Sequence, residues 1–61
     1  MNKKFTKRPE APDLWEIYDV ETGQIVTLDG FPLDSLASYE ADELVKLLFM
    51  GEIFPDPWEG G

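Results

Sequence analysis

The chain of 61 residues contains no cysteine and no histidine. Without cysteine there is no disulfide to staple a small core, and no thiolate for zinc or for nucleophilic catalysis. Without histidine it lacks the commonest general base, the commonest metal ligand and the usual activator of a serine nucleophile. Basic residues are also scarce, five against thirteen acidic ones, and Lys3, Lys4, Lys7 and Arg8 are four of the five. From Pro9 onward only Lys46 opposes all thirteen carboxylates, a formal charge of −12. Such a body repels nucleic-acid phosphates and membrane surfaces and attracts basic partners. The basic start lacks the apolar region of a signal peptide, and no run of about 20 apolar residues could span a bilayer. The expectation is a soluble, cytoplasmic protein with no membrane contact and no direct nucleic-acid binding.

What is present is led by the stretch Ser38–Gly51, SYEADELVKLLFMG. Ala41, Leu44, Val45 and Leu48 recur at spacings of three and four, the period of one helix face. Ser38 is a natural N-cap, and Glu40, Asp42 and Glu43 place negative charge at the positive end of the helix dipole. Gly51 follows the last periodic residue, where a left-handed C-terminal cap costs glycine least. Lys46 is spaced to pair with Asp42 or Glu43. Leu47, Phe49 and Met50 widen the apolar arc beyond one packed face. They belong either to a broad core stripe or to a second contact surface.

Residues 14–28, LWEIYDVETGQIVTL, read as a β-hairpin, because β-branched and aromatic residues flank Glu21-Thr22-Gly23. A three-residue loop with Gly23 in the left-handed position pairs Val20 with Gln24, Tyr18 with Val26, and Glu16 with Leu28. One face then carries Leu14, Tyr18, Val20, Val26 and Leu28, and the other Trp15, Ile17, Ile25 and Thr27. Both faces are largely apolar, yet one helix covers only one. The second needs the C-terminal tail, a second copy of the chain, or another protein, since a two-stranded ribbon is marginal alone.

The flanking segments are read as accessories. Residues 1–13 form a disordered basic arm with an isolated Phe5, since Pro9 and Pro12 disfavour helix and termini are usually loose. The alternatives are an arm folded over the acidic body or one touching an anionic partner. Residues 29–37 are a connection, with a turn at Asp29-Gly30 and Pro32 holding the chain extended. Phe31, Leu33 and Leu36 anchor it on the core. Asp29 and Asp34 lack the spacing of a known metal loop. Residues 52–61 form a tail in which Ile53, Phe54 and Trp58 either pack back or make a linear contact motif, as acids around aromatics suit a basic, apolar groove. The fold expected is therefore α+β: one small domain with a flexible arm over 1–13, a hairpin plus helix over 14–51 and a tail over 52–61.

No function is named by these residues. An enzyme needs positioned acids, bases or nucleophiles in a pocket of roughly 300 Å³ or more. Here only carboxylates, Lys46 and a few hydroxyls are on offer, and the five glycines are scattered rather than grouped in a phosphate loop. Catalysis is not expected, nor any cofactor or metal. The terminal Gly60-Gly61 and the hairpin-then-helix order resemble ubiquitin-like modifiers and sulfur carriers. Those folds need a strand pair after the helix, and Pro55 and Pro57 break the one stretch that would supply it, so that family is not assigned. The reading preferred is a non-catalytic protein-interaction module, a small regulator or adaptor. Its contact residues are Trp15, Ile17, Ile25, Phe49, Phe54 and Trp58, and its partner is a basic protein or a second copy. The alternative is an acidic imitator of nucleic acid, carrying Glu16, Asp19, Glu21, Glu40, Asp42 and Glu43 into a basic cleft.

Overall fold

The computed structural model describes residues 5–57. In chain order the elements are strands β1 (Phe5–Ala11), β2 (Leu14–Asp19), β3 (Thr27–Leu28) and β4 (Phe31–Pro32), followed by helix α1 (Ser38–Met50). The architecture is the expected α+β one, an antiparallel hairpin packed on a single helix.

The strands that make the hairpin differ from expectation. Residues 5–11 are not a disordered arm but strand β1, paired with β2 from Phe5 opposite Asp19 to Ala11 opposite Leu14. The prolines that argued against structure sit where a sheet edge accepts them. Trp15 exchanges both its backbone groups with Leu36, at 2.7 and 2.9 Å. Pro9, opposite Trp15, is thus at a non-hydrogen-bonded position of an edge strand, where a missing N–H costs little. Pro12 lies in the turn between the strands, a place its fixed φ suits. The register shifts between Pro9 and Ala11, which leaves Glu10 as a bulge. The Glu10 carboxylate then accepts from the Ser35 amide at 2.7 Å and holds the connection against β1.

The other edge of β2 meets the stretch expected to be its partner, displaced by one residue. Tyr18 bridges Ile25 rather than Val26. The Val26 amide donates to the Ile17 carbonyl, and the Asp19 amide to the Gln24 carbonyl, both at 2.9 Å. The loop therefore has four residues, Val20 to Gly23. Its extra residue follows from side-chain caps: Asp19 Oδ1 accepts from the Glu21 amide and Thr22 Oγ1 from the Gln24 amide. Gly23 takes the left-handed conformation, φ 79°. A one-residue displacement exchanges the two faces of a strand. Val26 accordingly sits beside Ile17 in the core and not with Tyr18. Further on, Leu33 bridges Ile17 and Val26 through its backbone, accepting from the first and donating to the second.

In the connection, Asp29 and Gly30 both have positive φ, 53° and 84°, the twist a two-residue hairpin turn needs. Leu33 and Leu36 pack on the core, while Phe31 is exposed. Helix α1 starts one position off its expected cap. Ala37 occupies the N-cap, its amide donating to Glu40 Oε1 at 2.9 Å, and the Ser38 hydroxyl accepts from Lys7 Nζ instead. At the other end Gly51 is left-handed, φ 77°, with Glu52 donating to Leu47 and Gly51 to Leu48, the paired bonds of a Schellman cap. The core is Ile17, Val26, Leu33, Ala41 and Leu48, flanked by Phe5, Trp15, Leu28, Leu36, Leu44, Val45 and Ile53. Among the described residues no helix is long and apolar enough to cross a membrane.

Candidate protein-contact site

The two described basic residues of the former arm are both engaged. Lys7 lies on the helix side of the hairpin, opposite Ile17. Its ammonium donates to Ser38 Oγ at 2.9 Å, pairs with Asp42 at 2.7 Å and sits 4.5 Å from the centre of the Trp15 ring. Arg8 lies on the opposite face. Its guanidinium pairs with Glu16, stacks 4.2 Å over the Tyr18 ring and donates to the Gly23 carbonyl. The hairpin face expected to make the contact, that of Trp15 and Ile17, is thus turned to the core, and the opposite face is covered at Tyr18 by Arg8 of the same chain.

The unsatisfied surface is elsewhere. One flank of α1, the start of β1, Val20 and the segment 53–55 frame an open groove of about 920 Å³. Val45, Leu48, Phe49, Met50, Phe5, Ile53 and Phe54 supply its apolar lining, and Thr6, Asp42 and Lys46 its polar one. Phe49 is 88% exposed and Phe54 75%. Phe49 and Met50 are therefore not part of a core stripe. The helix turns its apolar face at Ala41 and Leu48 to the sheet, and residues 49 and 50 project past that contact. The tail divides. Ile53 packs on the core, and Asp56 folds back so that its carboxylate accepts from the Asp29 and Gly30 amides at 3.0 and 2.8 Å. Its own amide donates to the Thr27 carbonyl at 2.7 Å. Phe54 lies between these anchors and is held outward. A second cleft, about 320 Å³, runs between Phe5, residues 24–27 and residues 55–57.

Of the six residues expected to make the contact, the structure brings Phe49 and Phe54 together on the groove. Ile25 lines the smaller cleft instead. Trp15 is half-buried under Lys7, and Ile17, 0% exposed, is the centre of the core and has no surface to offer. Trp58 lies outside the described residues. Sequence reasoning missed Phe5 and Val20 as groove residues. Phe5 carried a signal as the one aromatic of a polar segment. Val20 carried none, because its placement depends on the loop length.

Several of the acidic side chains are occupied within the chain. Glu16 pairs with Arg8, Asp42 with Lys7, Asp19 caps the loop and Glu40 caps the helix. Among the described residues no group of three or more acidic side chains is arranged to hold a metal ion. Compared with protein-family models, with curated proteins and with solved structures, the chain matches none.

Proposed function

We propose that the chain is a non-catalytic protein-interaction module of the cytoplasm, a small regulator or adaptor that binds a protein partner, another protein or a second copy, through the groove beside α1. The observation that carries this reading is the pair of almost bare aromatics, Phe49 and Phe54, on one apolar depression. Aromatic side chains in a partly formed groove are the usual anchors of protein contacts. The acidic balance of the body favours basic surface around the partner's apolar segment. The imitation of nucleic acid draws less support. Of the six carboxylates it requires, Glu16, Asp19, Glu40 and Asp42 already hold basic side chains or backbone amides of this chain.

The test is capture from a lysate of the source organism by tagged wild-type chain and by a Phe49→Ser/Phe54→Ser variant, each first shown to be folded by circular dichroism. A stoichiometric protein, or the untagged chain itself, retained by the first and lost by the second is the expected result. Identical recoveries from the two baits would end the proposal. Recovery of a nucleic-acid enzyme that the variant keeps and added salt removes would favour the acidic imitator.

A further inference from the structure

The outer face of α1 carries Tyr39, Asp42, Lys46 and Phe49 at spacings of three, four and three, the seam spacing of paired helices. All four are exposed, Tyr39 at 75% and Phe49 at 88%. The order of chemistries along this seam is aromatic, acid, base, aromatic, and it reads as its own complement when reversed. The midpoint falls at residue 44. A second helix laid antiparallel about that point would set Tyr39 against Phe49 of the other copy and Asp42 against its Lys46, with each contact made twice. Resting on the reading of this groove as a docking surface, we propose that its occupant is a second copy of the chain, paired through α1 as an antiparallel, two-fold dimer.

Charge supports a second copy on this face. Lys46 is the only basic residue after Arg8. It lines the groove, and no ion pair to it occurs among the described residues. A carboxylate is therefore what the seam needs opposite it, and the reversed seam supplies Asp42 at that height. Asp42 is already held by Lys7 at 2.7 Å with its side chain still 64% exposed, so it is oriented and accessible. The chain's net charge of −8 opposes association at long range. At physiological ionic strength that repulsion is screened beyond about 8 Å, whereas contacts within the seam are not. A two-fold contact of this kind closes on itself and stops at two copies.

The test uses the full chain and two charge variants, Lys46→Glu and Asp42→Lys, each shown by circular dichroism to keep its helix. Light scattering of the wild type at high micromolar concentration should give twice the chain mass of 7.0 kDa. Each variant alone places like charges across the seam and should associate more weakly, on the order of tenfold or more. An equimolar mixture of the two restores opposite charges at every facing position and should recover the dimer. A monomeric wild type overturns the proposal, as does a dimer that Lys46→Glu leaves intact or variants that fail to rescue one another. A monomer whose capture of another protein is still lost with Phe49→Ser/Phe54→Ser would overturn the dimer while sparing the docking groove.

Discussion

Two regions of this molecule use their side chains in opposite ways. Between β1 and the rest of the chain, the charged residues do the holding. Lys7 and Arg8 each meet a carboxylate, an aromatic face and a further oxygen. Along the groove beside α1, by contrast, the aromatic side chains of Phe49 and Phe54 stand in solvent. In a chain too small for a deep core, cation–aromatic and ion-pair contacts do part of the work that apolar burial does in larger domains. The apolar surface left over is then the surface with something still to bury. If the comparison is right, substitutions in the first region change stability and those in the second change association.

The largest effect is expected where the inner region meets the core. Among the described residues Ile17 is the one large side chain with no exposure, and its backbone joins β2 to Leu33 and Val26. Ile17→Ala should cost about 2–5 kcal/mol, the usual range for truncating a buried aliphatic residue. A domain of this length has only about 3–9 kcal/mol in total. The variant is therefore expected to be substantially unfolded at room temperature, as read by urea denaturation and near-ultraviolet circular dichroism. A loss below about 1 kcal/mol would mean that Ile17 is not packed as described.

Arg8→Ala tests the charged contacts directly. It leaves the Glu16 carboxylate, whose side chain is 13% exposed, without its partner and uncovers the Tyr18 ring. A loss of about 1–3 kcal/mol is expected, the penalty for orphaning a mostly buried charged acceptor. Faster amide exchange at Thr6 and at position 8, ahead of exchange in α1, should accompany it. If residues 5–11 were a loose leader, the substitution would cost nothing measurable, and the contrast between the two regions would vanish.

The sequence shows some of this and hides the rest, for reasons that attach to particular residues. The helix and its Gly51 cap are readable because period and cap are local, and so is the Asp29-Gly30 turn. Strand β1 is not readable, because TKRPE has little strand propensity of its own. Its cross-strand partners Tyr18, Glu16 and Ile17 stabilise it, and such pairing is a property of two segments. The faces of the second pairing were exchanged by a single loop residue, whose signal, the Asp19 cap on Glu21, is no stronger than that of the Gly23 turn. The groove was half legible. Phe49 and Phe54 stood out as apolar residues beyond what one face can bury, whereas Val20 and Phe5 reach it only through loop length and strand pairing.

The smallest effect on stability belongs to Phe49→Ser. Serine and phenylalanine have similar helix propensities, and a ring 88% exposed gives up little burial when it is removed. The change in unfolding free energy should stay within about 0.5 kcal/mol, as for surface substitutions generally. Association should nevertheless fall, whether measured as dimer mass or as retained partner, because an interface aromatic commonly contributes more than about 1 kcal/mol to binding. Urea denaturation and light scattering on one preparation separate the two quantities. Retained stability with lost association is the signature of a docking residue. A stability loss above about 1 kcal/mol would place Phe49 in the core of the solution structure, close the groove, and leave the two regions alike.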